Sequence, residues 1–322
     1  MPTPFSRDSL NLDAVAEVDR IAAWLNNEVH HNLRRYGAVV GISGGIDSSV
    51  VLALCVKAFG SKRVLGVMLP EKESSPDSAS LAQQLADQYD VETLTENISG
   101  ALDGAGCYER RDEAIRRVVP GFGTGWNAKI VLAGNVLEQA TLNVFRLIAT
   151  EPDGTEHSQR LPVKEFAQVV AASNFKQRMR MSMLYYHAEV RNYAVIGTAQ
   201  KNEHELGFFV KHGDGGADLQ PLAHLFKTQV YQLAKVLNVP AEIQARTPTT
   251  DTYPGGQTQE EFFYRLPFAL LDAIWLGHDQ GVAPAEIAAA LELTTEQVER
   301  VVTDIESKRR ATEYLRAPSG KL

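Results

Sequence analysis

Two cysteines, Cys55 and Cys107, are all that the 322 residues contain. Thiols so few and so far apart build neither a disulfide framework nor a zinc site. Cys55 falls on the apolar face of a helix and reads as core. Long apolar runs are missing as well: none approaches the ~18 residues of a membrane helix. The opening MPTPFSRDSLNLD is polar and carries prolines, so it shows no signal-peptide pattern and the cytoplasm is the expected address. Positive charge is in deficit, with 32 Lys and Arg against 40 Asp and Glu, a net charge of −8 and a pI of 5.6. That balance argues against nucleic acid as the main partner, because neutralising a phosphate backbone needs a basic face. A small polyanion needs only local cations. Apolar residues at 44% and charged residues at 22% match an ordinary globular chain long enough for a proper core. No internal repeat or low-complexity segment is visible.

Against these absences stands one informative string, AVVGISGGIDSSV at 38–50. Ala38 to Ile42 is a short β-branched run that reads as a buried strand. Ser43-Gly44-Gly45-Ile46-Asp47-Ser48-Ser49 follows, then an apolar helix closed by Gly60. Strand, glycine turn and helix N-terminus form an anion site: N–H groups point outward, the helix dipole favours negative charge, and glycine lets phosphate approach. The lysine that ends a Walker loop is absent. Asp47 lies in the loop instead, and a carboxylate beside a phosphate cradle implies a cation between them, hence Mg²⁺.

Residues 12–36 carry apolar positions at helical spacing and predict a leading amphipathic helix. Val64–Leu69 reads as a second strand, Ser78–Tyr89 as a helix, Ser173–Ala188 as a helix, Tyr193–Gly197 as a strand and Lys227–Leu237 as a helix. Two helices are expected in the tail, opening near Pro284 and Thr294. This alternation predicts an α/β fold, a doubly wound parallel sheet with helices on both faces and ligands beyond the carboxyl ends of its strands. The stretch 100–172 is expected to be a helical excursion from a single domain spanning 1–322. Within it, 108–118 and 130–149 read as helix and 151–160 as a mobile loop.

A second chemical segment spans 195–229. A strand ends in Gly197-Thr198, then come Glu203, Gly207-Phe208-Phe209, and the glycine-rich His212-Gly213-Asp214-Gly215-Gly216-Ala217-Asp218. Such a loop exposes its backbone to a ligand. Asp214, Asp218, Lys211 and Lys227 around it supply acid–base and phosphate-binding capacity.

SGGIDSS resembles the pyrophosphate loop of the N-type ATP pyrophosphatases, whose fold is Rossmann-like (adenine nucleotide alpha-hydrolase-like). The order GT, Glu, GFF-x-K-x-GDGG-x-D and a later Lys is similar to the NAD synthetase family. So are Asn174-x-x-x-Arg178-x-Arg180-Met181 and Pro248-Thr249-Thr250-Asp251. The resemblance implies that Ser43, Gly44, Gly45, Asp47 and Ser48 hold ATP phosphates, with Met68, Thr198 and Thr249 also at ATP. It implies Mg²⁺ on Asp47 and Glu203, substrate contacts from Arg178, Lys211, Asp214 and Asp218, and catalysis by Asp214, Lys211 and Lys227. Arg180 is expected to be a structural ion pair. Tyr36 and His31 are candidates for stacking on nicotinate, and Lys308-Arg309-Arg310 resembles the basic end of the family.

The implied reaction converts nicotinic acid adenine dinucleotide to NAD through an acyl adenylate, with ATP as co-substrate and ammonia as nucleophile. Only residues 1–42 precede Ser43, which resembles the short ammonia-using form, although a separate glutaminase partner is compatible with it. A homodimer with no nucleic-acid or membrane partner is expected. Two rival readings remain. An adenylating ligase for another carboxylate would carry the same loops, whereas a tRNA-modifying pyrophosphatase should show basic patches and a cysteine pair.

Overall fold

The computed structural model describes residues 4–132, 135–137, 145–249 and 258–321, apart from the side chains of Pro76 and Glu261. Four parallel strands form the central sheet: β1 (Ala38–Gly41), β2 (Val64–Met68), β3 (Glu92–Thr95) and β7 (Ala194–Ile196), in the order β3-β2-β1-β7. β1 registers Ala38 to both Val64 and Ala194, so it lies between β2 and β7. Its unbroken apolar run reflects burial on both faces. Alternate residues serve opposite sides. Val40, Val64 and Ile196 pack under α1 (Ala14–Asn27), α2 (Ile46–Phe59) and α8 (Lys227–Val236). Val39, Leu65, Val67 and Val195 pack against Met181, Leu184 and Ala188 of α6 (Val163–Arg191). Each such buried aliphatic contributes roughly 1.5–3 kcal/mol.

The strand–helix rhythm continues through α3 (Pro76–Gln88), which opens with proline in its first turn, where the missing N–H costs nothing. α4 (Ser99–Gly104) and α5 (Cys107–Val118) then lead out of the sheet. α6 has 29 residues and is about 44 Å long at 1.5 Å per residue. Its carboxyl half covers the sheet, while its amino half buries Val169 in a separate core with Ile115, Ile130 and Leu147.

That second core corrects the expectation of a purely helical excursion. The segment 130–149, expected as helix, contains parts of β4 (Asn127–Leu132) and β5 (Phe145–Thr150); residues 133–134 and 138–144 lie outside the described residues. β5 pairs antiparallel with both β4 and β6 (Glu156–Arg160), the stretch expected to be a mobile loop. The physical reason is period. Ala128 and Ile130 on β4 and Leu147 and Ala149 on β5 are buried at every second position. The turn 151–155 closes through Gly154 at φ +92°, with Glu151 N–H donating to Thr155 O at 2.9 Å. β6 is polar and exposed, as suits an edge strand.

Beyond β7 come α7 (Lys201–Leu206), α8 and α9 (Ala241–Ala245), then α10 (Phe268–Asp279), α11 (Pro284–Leu291), α12 (Thr295–Ala311) and α13 (Glu313–Arg316). α10 to α12 bury Trp275, Ile274, Ile287, Val298 and Ile305 in a third core, which Phe5 and Leu10 join from the start of the chain.

Candidate active site

β1 delivers its loop to the carboxyl edge of the sheet, where the loops after β2 and β7 also emerge. The turn is held by its own hydroxyls. Ser43 Oγ accepts from Gly45 N–H at 3.3 Å, Ser48 Oγ donates to Gly45 O at 3.1 Å, and Ser49 Oγ donates to the same carbonyl at 2.8 Å. Gly44 has φ +70°, and a Cβ there would stand 2.7 Å from Ser78 O on α3. Only glycine meets both demands. Gly45 is the N-cap of α2, and no side chain caps it, so the first turn of the helix keeps N–H groups for an anion.

Lys227 opens α8 and is completely buried. Its ammonium lies 2.5 Å from Asp47 Oδ2, a side-chain contact spanning 180 residues of sequence. Burial alone would lower the Lys227 pKa, but the Asp47 and Glu203 carboxylates outweigh it and hold the pKa above its ordinary value. Asp47 Oδ1 is buried with no hydrogen-bond partner. Glu203 comes from α7, whose N-cap Gln200 accepts from both Asn202 N–H and Glu203 N–H. Burial, followed by the Asp47 charge, pushes the Glu203 carboxyl up to about 8, with Lys227 pulling the other way.

Asp214 accepts from Val210 N–H at 2.9 Å. Burial raises its carboxyl to about 6, against that hydrogen bond and the nearby Arg180 charge.

These groups face one cavity of about 800 Å³. Ser43, Gly45, Asp47 and Ser48 line it from the first loop, and Met68, Thr198 and Thr249 from the loops beside it. Glu203, Lys211, Asp214, Lys227 and Arg178 line it too. Gly44 and Asp218 do not. Gly44 shapes the turn from behind. Asp218 is exposed and accepts from Tyr185 OH at 2.9 Å and Val195 N–H at 2.8 Å, which ties the glycine-rich loop to β7.

Lys211 reaches the cavity wall with its ammonium already donating to Tyr314 O at 2.7 Å and Ala317 O at 3.0 Å. Arg180 also departs from expectation. It lines the cavity, donates to Leu69 O at 3.3 Å and Gln177 Oε1 at 3.4 Å, and has no ion pair among the described residues. Tyr36 and His31 stand exposed ahead of β1, at the end of the strand away from this crevice. Thr250 and Asp251 lie outside the described residues.

Several wall residues come from 246–260 and the excursion, the two segments expected to line the pocket, with no motif to single them out individually. Gln259 donates to Glu203 Oε1 at 3.1 Å. Arg246 donates to Ser78 Oγ at 3.0 Å beside the first loop. The excursion adds Leu132, Phe145 and Phe166, and the two phenyl rings are stacked 4.0 Å apart. Lys308, noted in the basic tail, lines the same cavity and donates to Phe263 O at 2.9 Å.

The Glu71-Lys72-Glu73 turn after β2 has a structural explanation. Buried Lys176 binds Glu71 at 3.2 Å and Glu73 at 2.5 Å, Arg111 binds Glu73 at 2.6 Å, and Tyr108 OH donates to Glu71 at 2.6 Å. The network pins that turn to α5 and α6.

The NAD synthase family profile matches residues 17–115 and 129–317. A relative from Mesorhizobium japonicum, named NH(3)-dependent NAD(+) synthetase, is 50% identical over 308 residues, covering 96% of this chain and 96% of its own. One of the same name from Rhizobium rhizogenes is 47% identical over 310 residues, covering 96% of this chain and 93% of its own. Among solved structures, the NH3-dependent NAD synthetase of Campylobacter jejuni superposes with a TM-score of 0.62 over 97% of this chain and all of its own. At 20% identity that likeness concerns the fold.

Proposed function

The chain belongs to the NAD synthase family, and from that membership we propose that it amidates nicotinic acid adenine dinucleotide to NAD, using ATP and ammonia and releasing AMP and pyrophosphate. The observation that carries the reading is the convergence of Asp47, Glu203 and Lys227 beside the glycine turn.

A carboxylate is a poor electrophile, so its oxygen first bonds to the α-phosphorus of ATP as the α–β bridging P–O bond breaks. Pyrophosphate leaves with that electron pair. Two anions meet in this step. The buried Lys227 ammonium and the N–H groups at the start of α2 are already oriented to take up the charge that develops. Asp47 and Glu203 fit Mg²⁺: Asp47 Oδ1 is buried and unpartnered, and two carboxylates are what Mg²⁺ takes when phosphates and water complete its shell. Bound there, Mg²⁺ would supply charge neutralisation at the phosphates.

Ammonia then forms the C–N bond at the acyl carbon. The new ammonium centre must lose a proton before AMP departs, and Asp214 suits that role. With its carboxyl at about 6 it is mostly ionised at neutral pH, yet basic enough to accept the proton. Thr198, Thr249 and Met68 would contact ATP, and Arg178 and Lys211 the dinucleotide. Arg178 lines the cavity and is exposed, which supports a substrate that runs out of it toward a second copy in a homodimer. Tyr186 and Val190, exposed one turn apart on α6, support such a contact. The supply of MgATP favours the cytoplasm.

The test is a mass-resolved assay of purified protein with MgATP, the dinucleotide acid and ammonium, run beside glutamine and beside nicotinic acid mononucleotide. NAD, AMP and pyrophosphate formed together from ammonium are expected. AMP release without NAD would mean that another carboxylate is the acceptor.

A further inference from the structure

Asp272 on α10 is a carboxylate with no exposed surface, remote in sequence from every motif above. Its Oδ2 accepts from Thr228 N–H at 2.9 Å, and its Oδ1 accepts from Asn202 Nδ2 at 2.5 Å. Asn202 Oδ1 in turn accepts from Lys227 N–H at 3.0 Å. Lys227 and Thr228 are the first two residues of α8, whose N–H groups have no partner within the helix. Asn202 is fully buried and immediately precedes Glu203 on α7. One buried carboxylate therefore fastens two helix beginnings together: the one that presents the Glu203 carboxylate and the one that presents the Lys227 ammonium.

We propose that Asp272, acting through Asn202, is a positioning residue that sets the spacing of Lys227 and Glu203 around Asp47. The inference rests on the reading of Lys227 and Glu203 given above. The polarity of the chain is fixed at each link. Both donors at the start of α8 are backbone N–H groups, so Asn202 must turn its oxygen toward Lys227 and its amide toward residue 272. Residue 272 must then accept twice. An asparagine there would serve Thr228 but set its own NH₂ against that of Asn202. Turning Asn202 over would place its NH₂ against the Lys227 N–H. Either way, the first turn of α8 shifts.

The same geometry admits a reversed pattern. In the double variant Asn202→Asp/Asp272→Asn, residue 272 donates to residue 202, which accepts from both that amide and Lys227 N–H. Every hydrogen bond is restored with the same net charge. Three proteins are compared: wild type, Asp272→Asn and the double variant. Readouts are kcat, KM for the dinucleotide, melting temperature, and the affinity for pyrophosphate by calorimetry without turnover.

Asp272→Asn is expected to lose about 10- to 100-fold in kcat, the usual penalty for removing a partner that orients a working group. Its KM for the dinucleotide should stay within about threefold, and pyrophosphate affinity should fall about tenfold. The double variant should regain most of both losses. Wild-type kcat in Asp272→Asn would overturn the proposal. So would a double variant that recovers its melting temperature but not its kcat. Should these proteins fail to fold, Asn202→Ala removes the bridge alone, and wild-type kcat in that variant would overturn the proposal equally. If the wild-type protein makes no NAD, the assigned reaction fails, while the pyrophosphate affinities still test the clamp.

Discussion

Replacing Lys227 with methionine keeps the length of a fully buried side chain and removes its charge. Asp47 Oδ2 then loses an ammonium at 2.5 Å, and Glu203, already pushed up to about 8 by burial and the Asp47 charge, loses the cation that opposed that rise. Removing one partner of a buried pair typically costs ~3–5 kcal/mol. The Asp47 side chain is 17% exposed, so solvent offsets part of that cost. The expected loss of stability is therefore about 2–4 kcal/mol, roughly 3–6 °C in melting temperature for a chain of 322 residues. Pyrophosphate release in a single turnover should slow by about 10²–10³, the usual loss when a preorganised charge leaves a reaction centre. Melting curves, with single-turnover assays well below the transition, separate the two effects. A rate within about fivefold of wild type would remove Lys227 from the chemistry. An unchanged melting temperature would refute the electrostatic account.

Three further outcomes follow from the geometry. The Glu203, Asp214 and Asp272 carboxyls are raised to about 8, 6 and 6, mainly by burial. A raised folded pKa gives stability that is complete below pH ~4 and lost as pH climbs through the folded value, at roughly 2–3 kcal/mol for a carboxyl moved to about 6. The ligand-free protein should melt lower at pH 8 than at pH 5, and MgATP should restore more at pH 8 while releasing protons; a flat or rising profile would contradict this. Gly44→Ala must take a Cβ at φ +70° against Ser78 O, so we expect about 1–3 kcal/mol of destabilisation and a larger rise in KM for ATP than for the dinucleotide. Phe166→Ala removes half of the Phe145–Phe166 stack from the cavity wall. It should raise KM for one nucleotide substrate about tenfold, equivalent to ~1.4 kcal/mol, and an unchanged KM for both would detach the excursion from substrate binding.

Three of the four central strands were legible because their signals are local, whereas β3, Glu92–Thr95, is polar and partly exposed and carries no such signal. An apolar run bounded by glycine, with helical spacing after it, specifies a buried strand and the helix behind it, and SGGIDSS carries its turn geometry and anion site in adjacent residues. The same locality placed Asp47, Glu203 and Asp214 in the turns and first helical turns that follow β1 and β7 at one edge of a parallel sheet. The excursion misled because 130–149 has apolar residues compatible with either period, and only pairing with β4 and β6 on its two sides selected strand for β5. Other features are marked in the sequence without their partners. Asp272 is the lone charge in the apolar run FALLDAIWLG, which points to burial but not to what it binds, and Gln259 looks like any polar residue in a loop. Lys211 carries the family's spacing, yet its ammonium is held by carbonyls of the tail. Local sequence determined which backbone turns could hold an anion and which charges stood near them. Tertiary packing decided which of those charges meet, because the Lys227–Asp47 contact joins α2 and α8 across the core they share, and the Asp272 clamp ties that core to the helical core of α10 to α12.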